Sequence, residues 1–215
     1  MKIHIGVDFD NTIVCYDSVF HQLARKERLI PHDVETSKEK IRNYLRQIGK
    51  EDAWTKMQGY GYGPGIKHAE PFPGVVTFFR FCRKESLSIS IVSHKTRHPY
   101  LGPPYNLHKA AYGWLQHYGF FDQGDLGLTR DQVFFELTME EKINRIKQLG
   151  CTHFIDDLPE FLSNPHFPPN ITTILFDPKG NYVNSQPLQS VSSWENILHI
   201  FRKHLDTHER VTQKM

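Results

Sequence analysis

The chain has 215 residues, with 26 Lys plus Arg against 24 Asp plus Glu and a formal net charge of +2, so it carries no broad electrostatic field for nucleic acid or a membrane surface. Its cysteines, Cys15, Cys82 and Cys151, are odd in number, far apart and without a CxxC pair, which argues against a disulfide framework or a structural zinc site. No apolar run approaches the roughly 18 residues of a membrane span, and the N-terminus leads straight into a short strand. The expectation is a cytoplasmic protein with one core domain and a modest insertion.

In chain order, a buried strand is expected over residues 3–9, and it ends in Asp8-Phe9-Asp10-Asn11-Thr12. Residues 14–70 then hold amphipathic helical stretches at 18–28, 37–48 and 51–58 before any second strand, too long a path for a simple connection. They are read as a helical insertion that closes with the glycine-rich run 59–65, either a hinge or a flexible return linker. Pro71, Pro73 and Gly74 break the chain before a helix starting near Val75. A second strand spans 87–92, with Ser93 directly after it and a long basic, aromatic, proline-stiffened loop from 94 to 108. A strand-like run at 133–137 precedes a helix from Met139 to Gly150, with Lys142 in its first turn. A third strand at 152–155 runs into Asp156-Asp157, a fourth covers 171–176, and a capping-box pattern from Ser192 to Glu195 opens a last helix reaching about Leu205, ahead of a polar tail.

Strands alternating with helices predict an α/β fold, a Rossmann-like parallel sheet with helices on both faces. In such sheets ligands bind at the carboxyl ends of the strands. Asp8, Asp10, Ser93, Lys142, Asp156 and Asp157 are all expected on that rim. Two carboxylates two residues apart can divide one task, one attacking phosphorus or binding a cation while the other moves a proton.

This ordered set resembles the haloacid dehalogenase-like (HAD) superfamily of phosphohydrolases. Asp8 to Thr12 is similar to its first motif, Ser93 to its second, Lys142 to its third and Asp156-Asp157 to its fourth, while Pro71 to Val75 looks like the usual return from a cap. The resemblance implies a core made of residues 1–13 and 71–215, a cap at 14–70, and Mg²⁺ as cofactor. It makes Asp8 the nucleophile of an aspartyl-phosphate intermediate and Asp10 the acid and base. Thr12, Ser93 and Lys142 would bind phosphate. Asp8, Asp10 (through its backbone carbonyl), Asp156 and Asp157 would surround the metal, with Asp156 favoured over Asp157 as direct ligand. A carboxylate at position 10 points to a phosphatase rather than a dehalogenase.

His94, Lys95 and Arg97, in the loop beyond Ser93, are the candidates for substrate selectivity. The expected substrate is a small phosphorylated metabolite, a sugar phosphate or a nucleoside monophosphate, since a helical lid excludes polymers. Membrane binding is not expected, and a nucleic-acid partner is disfavoured. A nucleic-acid end-processing phosphatase and a non-catalytic binding module of the same fold are the alternatives.

Overall fold

A computed structural model describes residues 3–182 and 188–212. Its strands are β1 (His4–Val7), β2 (Val14–Cys15), β3 (Glu70–Pro71), β4 (Ser88–His94), β5 (Val133–Glu136), β6 (His153–Asp156), β7 (Thr172–Phe176) and β8 (Gln189–Val191). Six of them form one sheet in the order β5-β4-β1-β6-β7-β8, every pair parallel. In the middle, Val7 pairs with Ile91 on one side and Ile155 on the other.

Apolar side chains on both faces of these strands require cover from both sides. The helices are α1 (Asp17–Lys26), α2 (Lys38–Gln47), α3 (Glu51–Tyr62), α4 (Val75–Lys84), α5 (Leu107–His117), α6 (Met139–Gln148), α7 (Pro159–Leu162) and α8 (Trp194–Thr212), and α4 to α8 supply that cover. On one face Ile5, Val7, Ile91 and Ile155 pack with Phe78, Trp114 and Trp194 from α4, α5 and α8. On the other, Val92, Phe154 and Leu175 pack with Ile143, Ile146 and Phe161 from α6 and α7. Among the described residues, no helix is long and apolar enough to cross a membrane.

Helices α1 to α3 lie between β2 and β3, which pair antiparallel with Cys15 opposite Glu70. The chain therefore leaves the core and comes back at one two-strand ladder. The glycine run departs from expectation. Gly59 and Gly61 lie inside α3, so neither is a hinge or a loose linker. A Cβ on Gly59 would meet Pro99 at 2.8 Å, and one on Gly61 the Phe20 ring at 2.9 Å. These glycines permit close packing, of the insertion on the 95–106 loop and of α3 on α1.

Three further differences concern extent. The loop after Ser93 ends sooner than expected, because Asn106 caps α5 by accepting a hydrogen bond from the Lys109 amide at 2.8 Å. Ser193 rather than Ser192 caps α8, its hydroxyl accepting from the Asn196 amide at 3.1 Å. That helix continues through Thr212 where a polar tail was expected after Leu205, and residues 213–215 lie outside the described ones.

Candidate active site

Because β1, β4 and β6 run parallel, whatever follows each is delivered to one edge of the sheet. The Asp8 amide still belongs to that sheet, donating to the Ile155 carbonyl at 2.9 Å. Beyond it the chain turns tightly: Ile13 and Val14 both donate to the Phe9 carbonyl at 3.1 Å. Asn11 sits at φ 62, a left-handed conformation that Asn tolerates better than most residues. The far side of the turn is braced from the other end of the chain, where the buried Trp194 indole donates to the Thr12 carbonyl at 3.0 Å.

Asp8 and Asp156 share one ammonium. Lys142 Nζ donates to Asp8 Oδ1 and to Asp156 Oδ2, each at 2.6 Å, and Lys142 itself is 1% exposed. Its position follows from the Thr138–Glu141 capping box that starts α6 and from the Phe161 ring, whose centroid is 4.1 Å from the ammonium. Burial works against the Lys142 charge, but Asp156 and Asp8 outweigh it and hold its pKa above the usual value. Burial pushes Asp8 up to about 7, opposed by Lys142 and reinforced by Asp156 and Asp10. Asp157 is raised well above the carboxylate range, first by burial and then by the charges of Asp156 and Asp8.

Asp8 and Asp156 thus share one ammonium, and oxygens of Asp8, Asp156 and Asp157 lie within 4.8 Å of one another. An all-oxygen set with excess negative charge suits a hard divalent cation. The two members of the acidic pair are placed differently. Asp156 has both oxygens engaged, Oδ2 with Lys142 and Oδ1 with the Leu158 amide at 2.9 Å. Asp157 lines the cavity, and its Oδ1 receives the Thr12 hydroxyl only at 3.4 Å.

Asp10 points away from this cluster into a second ion pair. Lys95 Nζ lies 2.9 Å from its Oδ1 and 2.6 Å from its Oδ2, and the Tyr16 hydroxyl donates to Oδ1 at 2.6 Å. Lys95 is held by its own backbone, since its amide donates to the Glu136 carbonyl at 2.8 Å and its carbonyl accepts from His108 Nε2 at 2.7 Å. The Tyr62 ring from α3 stands between two lysines, with Lys95 Nζ 4.9 Å and Lys38 Nζ 5.0 Å from its centroid. Asp8, Asp10, Asn11, Lys38, Gln58, Tyr62, Ser93, His94, Lys95, Lys142 and Asp157 all line one cavity of about 340 Å³.

Of the residues expected here, Asp8, Asp10, Ser93, His94, Lys95, Lys142 and Asp157 line this cavity, and Asp156 lies directly behind. Two are not brought in. Thr12 is fully buried with its hydroxyl turned to Asp157, so it is not placed to touch phosphate. Arg97 is exposed and outside the lining, because the loop runs outward after Lys95 and returns at Leu107, whose amide donates to the Arg97 carbonyl at 2.9 Å. Lys95, expected to meet substrate, is committed to Asp10. Tyr16, Lys38, Gln58 and Tyr62 were not anticipated. All four come from the insertion, whose packing no local pattern foretells.

A parallel six-stranded sheet with acidic strand ends and a helical insertion after the first strand is the fold of the HAD-superfamily hydrolases, and this chain has it. No protein-family profile and no curated protein sequence matches the chain. Among solved structures it is similar to a HAD family hydrolase from Deinococcus radiodurans R1 with bound phosphate and sodium, at 13% identity and TM-score 0.57 over 91% of this chain and 93% of that one. It is also similar to the HAD-hydrolase YfnB from Bacillus subtilis bound to magnesium, at 14% identity and TM-score 0.56, covering 93% and 99% of the two chains. A third is β-phosphoglucomutase from Clostridium difficile, at 14% identity and TM-score 0.52, covering 95% and 99%.

Proposed function

We propose that the protein is a Mg²⁺-dependent phosphatase that hydrolyses a small phosphomonoester through an aspartyl-phosphate on Asp8. The observation that carries this reading is the division of labour between two carboxylates two residues apart. Asp8 sits in the oxygen cluster beside Lys142, while Asp10 is turned to Lys95 and Tyr16 at the same cavity. A nucleophile needs the first environment and a proton carrier the second.

Asp8 would attack phosphorus, and Asp10 would protonate the leaving oxygen and then take a proton from the water that cleaves the phosphoenzyme. Ser93 and Lys142 would hold phosphoryl oxygens, Lys142 also keeping Asp8 in line. Asp8, Asp156, Asp157 and the Asp10 carbonyl would hold Mg²⁺, which when bound offsets the charge of a dianionic substrate. Residues 14–70 would act as the cap over a core of residues 1–13 and 71–215, limiting access to small metabolites such as sugar phosphates or nucleoside monophosphates. The three cysteines are free, in keeping with a cytoplasmic protein.

The test is phosphate release from a panel of phosphomonoesters with and without Mg²⁺, run beside Asp8→Asn. Mg²⁺-dependent release by the natural chain and none by the variant is expected, and release by the variant at the natural rate overturns the covalent route.

A further inference from the structure

The insertion brings to the cavity one cation that the proposed chemistry does not use. Lys38 is the first residue of α2, directly after Ser37, whose hydroxyl accepts from the Lys40 amide at 3.3 Å. Its own amide donates to Asp17 Oδ1 at 2.7 Å, so its backbone is fixed at both ends. The side chain runs over the nucleophile turn, where Nζ donates to Asn11 Oδ1 at 2.9 Å. Around it stand the rings of Tyr62, Phe20 and Tyr16, their centroids 5.0, 5.6 and 5.8 Å away.

The other two lysines of the cavity each have carboxylate partners, two for Lys142 and one for Lys95. Lys38 forms no ion pair among the described residues. Burial works against its charge, yet the Tyr62 side chain and the more distant Asp157 and Asp10 hold its pKa above the usual value. It is therefore an ammonium at neutral pH. One amide oxygen, a hydrogen bond with the Tyr62 side chain and the neighbouring rings offset only part of the cost of removing that charge from water. An anion would offset the rest.

Its location says which part of a substrate would meet it. Lys38, Asn11, Asp157 and Leu158 line both the cavity of about 340 Å³ and a neighbouring one of about 160 Å³. A molecule whose phosphoryl group rests on Asp8 and whose remainder extends toward α2 passes this ammonium. We infer that Lys38 is a substrate-binding residue that pairs with a second anionic group, a carboxylate or a second phosphate, carried on the leaving group. The inference rests on the phosphatase reading and narrows its substrate class to phosphomonoesters with an additional acidic group. Such a contact discriminates, because a substrate lacking the anion leaves a half-buried charge unpaired.

The experiment uses the full chain carrying Asp8→Asn, with Mg²⁺, so that binding is read without turnover. Two pairs of probes are titrated by calorimetry: 3-phosphoglycerate against glycerol 3-phosphate, and fructose 1,6-bisphosphate against fructose 6-phosphate. In at least one pair the more acidic member should bind ten-fold or more tightly. Adding Lys38→Met should cut that advantage below three-fold, and Lys38→Arg should keep most of it. Equal binding within both pairs, no binding by any probe, or an equal loss for both members in Lys38→Met overturns the inference. Phosphate release by the natural chain separates the two readings. If it hydrolyses no phosphomonoester the phosphatase reading falls, whereas hydrolysis without a Lys38-dependent preference removes this inference alone.

Discussion

The Lys95 ammonium grips both oxygens of the Asp10 carboxylate, at 2.6 and 2.9 Å, and does so while only 4% exposed. A bidentate buried contact of this kind sets the direction of the carboxylate as well as its charge environment. Lys95→Met should therefore lower kcat most where the leaving group needs a proton. A loss of about 10²-fold or more on alkyl phosphates is expected, within the range of general acid–base catalysis, and a much smaller one on p-nitrophenyl phosphate. Steady-state kinetics on both substrates decide it, and equal losses would make Lys95 a residue of the fold rather than of proton transfer.

For the two aspartates themselves, Asp8→Asn should reduce turnover of every substrate by at least about 10³-fold while leaving the circular dichroism spectrum and melting temperature near those of the natural chain. Asp10→Asn should do the same on alkyl phosphates but keep measurable activity on p-nitrophenyl phosphate. Acid-quenched phosphoprotein labelled from substrate, present in the natural chain and absent in Asp8→Asn, checks the nucleophile directly.

Metal binding should depend on pH in a direction set by Asp8. Its folded pKa, about 7, lies above its unfolded value of about 4. Between those values the metal-free folded state holds the extra proton, so this group's contribution to stability falls as pH rises through the window. A cation competes with that proton. The rise in melting temperature produced by Mg²⁺ should accordingly be larger at pH 8 than at pH 6. Asp157→Asn should shrink it and raise the metal-free melting temperature, since a crowded carboxylate has been neutralised. A Mg²⁺ shift independent of pH, or untouched in Asp157→Asn, would count against the cluster as the metal site.

Two helical glycines make an internal control for the packing of α3. A Cβ at Gly61 meets Phe20 at 2.9 Å, whereas one at Gly113 in α5 meets nothing within 4 Å. Gly61→Ala should cost about 1–3 kcal/mol of stability through overpacking. Gly113→Ala should add up to about 1 kcal/mol through helix propensity. Chemical denaturation of both variants measures this, and stabilisation by Gly61→Ala would restore the loose-linker reading of the glycine run.

Acid stability has a separate source. Burial depresses the His153 pKa to about 4, with the nearby His204 adding to the effect. Unfolded, the imidazole takes a proton near pH 6.5. The unfolded state is thus favoured progressively as pH falls from about 6.5 to about 4, and the contribution is constant above that window. Replacing His153 with Leu should flatten the melting curve against pH over this interval, and an unchanged slope would assign acid sensitivity elsewhere.

Much of this arrangement was legible because it is local. Asp8 and Asp156 stand at the ends of apolar runs, and Lys142 stands three residues into a helix marked by Thr138 and Glu141, so topology alone carries them to one rim. Lys95 was readable in principle, being two residues beyond Ser93 and hence on the same side of an extended chain. Tyr16, Lys38 and Tyr62 were not, because they converge only when α1, α2 and α3 pack on one another. The glycines of α3 illustrate a different obstacle: glycine marks either conformational freedom or close approach, and the chain alone does not say which. Strand β8, only Gln189–Val191, is too short and too polar to register as a strand.

The hydrogen bond from Trp194 to the Thr12 carbonyl joins residues 182 positions apart. The turn that follows Asp8 is thereby buttressed by α8, which is synthesised long after it. On the ribosome, a nascent chain lacking α8 holds the acidic motif without its brace and without the Trp194 cover of the core. Assembly of the braced acidic turn is in this way tied to the synthesis of α8.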